Sequence, residues 1–183
     1  MILTVGVDPG NTGAIAFLVD GKLVDIKPMP VTVIERARSN KKPRADGKKQ
    51  SATTQKTRIS EDGVGAVFLP LMGQDFHIFV EQVGTMPDQS ITGAFTFGEG
   101  FGIIKGVLGA FQLRRTFVRP QTWKKTTGCF PGDEGSIKRV CELFPEWSNQ
   151  FTRANGEIVK NRHDKADAVL IGYHGYLQLK TGV

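Results

Sequence analysis

Short β-forming runs, each broken by a turn string, fill the first thirty positions of the chain. ILTVGVD (2–8), AIAFLV (14–19) and KLVDIKPM (22–29) are separated by Pro9–Gly13 and by Asp20–Gly21. Asp-Gly between apolar runs is a strong hairpin signal, so the three runs predict an antiparallel meander. A helix is predicted from Ser60 through VGAVFLPLM, with Ser60 as N-cap, Glu61 and Asp62 in the first turn and Pro70 as an interruption. HIFVEQV (77–83) reads as a buried strand. Residues 89–112 are apolar at helical spacing although rich in glycine. Gly98, Gly102, Gly106 and Gly109 share roughly one face, and each interior glycine costs about 1 kcal/mol relative to alanine, so a close approach by the sheet or by a second copy is expected there. A short strand RTFVRP, a basic patch QTWKKTTG, a helix from about Asp133 to Phe144, a polar loop (148–162) and a last helix from about Asp164 complete the pattern.

The order is β-β-β-α-β-α-β-α-α. It predicts an α/β fold with a five-stranded mixed sheet, a three-strand antiparallel meander plus parallel strands, flanked by helices. A right-handed crossover lays strand 77–83 parallel to strand 2–8 and brings their C-terminal ends together. No internal repeat is present, and residues 1–183 are expected to form a single domain. Composition agrees: 39% hydrophobic and 23% charged residues are ordinary for a globular chain. No apolar run approaches the roughly 20 residues of a membrane span, and MILTVGVD lacks the basic start of a signal peptide. Cys129 and Cys141 read as reduced thiols, so a cytoplasmic location is expected.

Charge changes the picture. The net charge of +6 is concentrated between Arg36 and Arg58, where nine basic residues face one acid, Asp46. The segment, an insertion at about 32–58, lacks apolar periodicity and is expected to be a flexible loop. Its run of one sign suits phosphate contact, with Lys41, Lys42, Arg44, Lys48 and Lys49 as DNA-binding candidates.

Candidate chemistry lies in four carboxylates. Asp8 ends the first strand, directly before a Pro-Gly turn, and Glu81 interrupts an apolar strand. Asp164 and Asp167 share a face in the first turn of the last helix. Each has an ordinary reading, as turn residue or helix-start charge. If the last helix docks near the C-terminal strand ends, all four meet. Their repulsion would then be relieved by hard divalent cations, and the oxygen-only donor set favours Mg²⁺ or Mn²⁺ over zinc. Two such ions are the usual device for phosphodiester hydrolysis. Pro9 biases Asp8 toward an extended conformation, while Gly10 and Gly13 let the chain turn at once and keep side chains from the approach of a phosphate. Trp123 and Trp147 read as packing residues rather than base-stacking ones, and His163 either orients the carboxylate of Asp164 or flanks the last helix.

VGVDPGNTGAIAF, HIFVEQV, WKK, GSIKRV and DKADAVLIG, in this order, resemble the RuvC-type Holliday junction resolvases of the RNase H-like superfamily. The resemblance covers most of the chain, with the basic insertion unmatched. It implies a homodimeric, metal-dependent endodeoxyribonuclease that resolves four-way DNA junctions by paired symmetric nicks, with about two Mg²⁺ or Mn²⁺ ions per site. It implies an acidic tetrad of Asp8, Glu81, Asp164 and Asp167, assisted at the scissile phosphate by Lys138 and by Lys124 or Lys125. Bacterial members carry an aromatic residue just after EQV, whereas here Gly84 follows. In this the chain is similar to divergent phage-encoded members, which would work in the host cytoplasm. A related nuclease acting on flaps, other branched DNA or RNA, and a non-catalytic junction-binding protein, are the alternative readings. The D-x-G-x-T-G opening also resembles the phosphate loop of actin-like sugar kinases, but those need a second related domain. No P-loop is present, and no nucleotide cofactor is expected.

Overall fold

The computed structural model describes residues 1–37, 53–82, 84, 90–132, 134–159 and 162–182. Strands β1 (Leu3–Asp8), β2 (Ala14–Val19) and β3 (Lys22–Pro28) form the expected meander. Asp20 and Gly21 both take positive φ, 49° and 77°, as a two-residue turn between twisted strands requires. Two further strands, β4 (Val31–Ala37) and β5 (Thr53–Ile59), pair antiparallel from Val31↔Ile59 to Ala37↔Thr53 as a separate ribbon. Then follow α1 (Glu61–Phe68), β6 (His77–Glu81), α2 (Ile91–Ala110), β7 (Arg115–Val118), α3 (Pro120–Thr127), α4 (Gly135–Leu143) and α5 (His163–Thr181).

The main sheet has the order β3-β2-β1-β6-β7. β6 runs parallel to both β1 and β7, so the sheet is mixed, with five strands, as the element order implied. Alternation along β1 and β6 divides the core into two layers. Val5, Val7, Ile78 and Val80 pack with Val64, Phe68, Ile104 and Leu108 of α1 and α2. On the other face Phe79, Ala16 and Leu18 pack with Trp123, Val140, Val169 and Leu170 of α3, α4 and α5. Asp8 and Glu81 follow the phase of Gly6 and Phe79, which puts them on the α5 face.

Three expectations need correction. The insertion is not a loop at its ends: Val31, Thr32, Val33 and Ile34 face Ile59, Arg58, Thr57 and Lys56 across the ribbon, and the β-branched character of the first run outweighs the surrounding charge. Lys41, Lys42, Arg44, Lys48 and Lys49 lie outside the described residues. The basic patch after β7 is a helix, α3, because Pro120 sits at its first turn and Gly128 closes it at φ 67°.

The third concerns glycine. A Cβ placed on Gly98, Gly102 or Gly106 would meet nothing within 4 Å, so of the two partners expected for this stripe the sheet is excluded, and the expectation of a second copy is not touched by it. Close approach happens in α5 instead. A Cβ on Gly6 of β1 would run into the Ala168 carbonyl and the Gly172 backbone, and one on Gly172 would lie 3.0 Å from the Gly6 nitrogen. Backbone therefore meets backbone where α5 crosses β1, which fixes how far the first turn of α5 stands from the sheet.

Candidate active site

Three elements deliver the carboxylates. In the parallel pairing of β1 with β6, Val7 lies opposite Val80, so the next residues, Asp8 and Glu81, stand level at the strand ends. The Pro9–Gly13 turn is tight: the Gly13 amide donates to the Gly10 carbonyl at 2.9 Å. A Cβ on Gly13 would collide with the Asp8 carbonyl, whereas one on Gly10 would have ordinary room, 3.7 Å from Asp8 Oδ1. Gly13 therefore makes the turn, and Gly10 leaves the carboxylate uncovered. The Gly10 amide donates to Asp8 Oδ1 at 3.3 Å. Asp164 in the first turn of α5 and Asp167 one turn on project from the N-terminal end of the helix, which the Gly6–Gly172 crossing holds against β1.

Electrostatics shows that the four acids share one neighbourhood. Asp8 is buried, and its pKa is raised well above the ordinary carboxylate range, first by burial and then by the charges of Glu81, Asp164 and Asp167. Burial also raises Glu81, against the pull of a hydrogen bond from Trp123 and the charge of Lys124. Asp167 is raised by burial and by Asp164, opposed by Ser136, Lys124 and His163.

Among the described residues, no group of three or more His, Cys, Asp or Glu side chains is close enough as placed to hold a metal ion. The donor set nonetheless fits a hard cation. It is all carboxylate, its charges destabilise one another, and Asp167 Oδ1 is buried with no hydrogen-bond partner among the described residues. An ion would both satisfy that oxygen and cancel the repulsion.

The surrounding residues are partly new. Trp123 is fully buried, as a packing residue should be, yet its indole Nε1 also donates to Glu81 Oε1 at 3.0 Å. His163 does more than flank the helix, since its Nε2 lies 2.8 Å from Asp164 Oδ1. Lys124 lines a cleft of about 460 Å³ together with Ser136, His163 and Asp167. Both candidate lysines are exposed on the last turn of α3, and Lys124 is the one whose charge acts on Glu81 and Asp167. Lys138 is exposed on α4 and pairs with Glu134 at 3.2 Å. Trp147 is half-buried against the α5-side core.

These features define an RNase H-like α/β fold with an acidic cluster at the carboxyl ends of its two central strands. Solved structures place that fold more narrowly, as the one RuvC adopts. "T. thermophilus RuvC in complex with Holliday junction substrate" is 13% identical, with 100% of this chain and 97% of that chain covered at a TM-score of 0.58. "Thermus thermophilus RuvC structure" is 11% identical, with 99% and 97% covered at a TM-score of 0.50. No protein-family description and no curated protein matches the chain. No described helix is long and apolar enough to cross a membrane.

Proposed function

We propose that the protein is a metal-dependent endodeoxyribonuclease that cuts branched DNA, with the four-way junction as its substrate. The observation that carries this reading is the meeting of Asp8, Glu81, Asp164 and Asp167 at one end of a RuvC-type fold. These four would hold one or two Mg²⁺ or Mn²⁺ ions. When bound, such ions supply an activated water and neutralise charge on the leaving 3′-oxygen. Water adds to phosphorus, the bond to the 3′-oxygen breaks, and the products are a 5′-phosphate and a 3′-hydroxyl.

The chain's own residues prepare that step. Trp123 fixes one oxygen of Glu81 and His163 one oxygen of Asp164, which leaves their other oxygens for the cation. Lys124 brings a positive charge to the acid-lined cleft, where a phosphate would otherwise be repelled. Gly10 keeps the space in front of Asp8 open.

Two cuts related by symmetry call for two sites related by symmetry. The exposed face of α2 suits a second copy of the chain: Ile91 and Phe95 are 90% and 74% exposed, and Gly98, Gly102 and Gly106 continue the same face without side chains.

A cleavage panel tests the proposal. A four-way junction, a flap, a linear duplex and an RNA of matched sequence are incubated with wild-type protein in Mg²⁺. Preference for the junction with cuts at symmetric positions supports it. Equal or faster cutting of flap or RNA moves the substrate to the related nuclease class, and tight junction binding without cutting in Mg²⁺ or Mn²⁺ overturns the enzyme reading.

A further inference from the structure

Beside the acidic cluster, at the same end of the sheet but on its other face, a cleft of about 590 Å³ opens between the ribbon and the first half of α2. Its described walls carry no carboxylate. They include Lys56, the hydroxyl-bearing Thr57, Ser90, Thr92 and Thr96, and Phe97. Asn11 belongs to this cleft and also to the turn that starts at Asp8. Its Nδ2 donates to the Thr57 carbonyl at 2.7 Å, which ties the turn to the ribbon. Arg58 fastens the ribbon on its other side, 3.5 Å from Glu61 of α1 and 3.7 Å from Glu99 of α2.

We infer that this cleft is a subsite for one unpaired nucleotide of the DNA strand being cut, adjacent to the phosphate held at the carboxylates. The inference rests on the nuclease reading above and adds to it a place for a base.

Size, chemistry and position agree. The volume lies within the roughly 300–1,000 Å³ of small-ligand sites and is that of a single nucleotide rather than a duplex. An ammonium and hydroxyls are donors suited to a sugar-phosphate, and a phenyl ring is a stacking platform that accepts any base. Stacking on Phe97 needs an exposed base face, so the nucleotide must have left its own stack. Because Asn11 links the two sites through three residues of a tight turn, a strand with one phosphate at Asp8 has its neighbouring nucleotide within reach of the cleft.

Photo-crosslinking tests this. Four-way junctions carrying 5-iodouracil at single positions within three nucleotides of the cut are irradiated on Asp8→Asn protein, and the crosslinked peptide is identified by mass spectrometry. One position should attach to the peptide containing Phe97, and Phe97→Ala should abolish that attachment. Phe97→Ala should also weaken junction affinity by about fivefold to a hundredfold, the usual range for a lost stack, and Lys56→Ala should lower the salt slope of binding by about one. No crosslink to that peptide from any position, or unchanged crosslinking and affinity in Phe97→Ala, overturns the inference. So does equal labelling by free 5-iodo-deoxyuridine monophosphate, which would make the cleft a mononucleotide site. Wild-type cleavage of the same junctions, run in parallel, separates these failures from failure of the nuclease reading.

Discussion

At Glu81 a single hydrogen bond does two jobs. The Trp123 indole fixes the orientation of Oε1 and favours the charged form that burial disfavours. Trp123→Phe keeps the ring in the core and removes only the N–H. Metal affinity, read by Mn²⁺ titration, should fall by about 10–100-fold, with junction binding in the absence of metal unchanged. Asp8 shows the opposite balance. Its folded pKa is raised, as are those of Glu81 and Asp167, so these groups bind protons more readily in the folded state than in the unfolded one. Their contribution to stability is present at low pH and is lost as pH rises through the raised values. In metal-free protein at pH 7, Asp8→Asn should therefore raise Tm, by roughly 2–4 °C for each kcal/mol of repulsion relieved. The Tm gain that Mg²⁺ gives wild type should shrink as pH falls through the same range. A lower Tm for Asp8→Asn without metal would mean that the carboxylate is structural. The histidines act in the other direction: His77 and His174 are held below their usual pKa by burial, so their contribution is lost as pH falls below about 6.5. The acids were legible in the sequence because Asp8 and Glu81 interrupt apolar strands. Trp123 was legible only as a core residue, because its bond to Glu81 joins positions 42 residues apart.

Helix α5 positions half of the acidic cluster, and its seat on β1 depends on two glycines meeting back to back. Gly6→Ala adds a methyl that would run into the Ala168 carbonyl and the Gly172 backbone. The helix must then lift or the strand must shift, at a typical cost of about 1–3 kcal/mol. Cleavage should fall further than stability does, since a displacement of an ångström moves Asp164 and Asp167 away from Asp8 and can cost on the order of a hundredfold in rate. Thermal melts and single-turnover rates on the same preparation check this, and proportionate loss in both would reduce the contact to packing. Periodicity located both glycine-bearing helices, but not the side that each turns to the sheet. In α2 the glycines form a visible stripe and face away. In α5 they sit singly among apolar residues and make the contact. The ribbon was missed for a related reason, since dense charge hid two β-branched runs whose partners lie 16 to 28 residues apart, from Ala37↔Thr53 to Val31↔Ile59.

Over the whole molecule, the mixed sheet follows from the order of elements and the hand of the crossover, and with it the meeting of two strand ends at Asp8 and Glu81. Symmetry is the property that a single chain does not display, and the exposed face of α2 is where it can be tested. Gly102→Leu enters open space, so the fold should melt as wild type while light scattering finds monomers that no longer make paired cuts. A stable dimer with normal paired cutting would place the two-fold axis elsewhere. The central claim is that the four carboxylates hold the metal that cuts DNA. It is tested most directly by single-turnover cleavage of a four-way junction, at saturating protein and across a Mg²⁺ titration, with wild type and Asp8→Asn compared. Wild type should cut with a saturable Mg²⁺ dependence, whereas Asp8→Asn should bind the junction at least as tightly and cut at no Mg²⁺ concentration. Cutting by Asp8→Asn at a near-normal rate, or by wild type with all divalent ions chelated, would contradict the account.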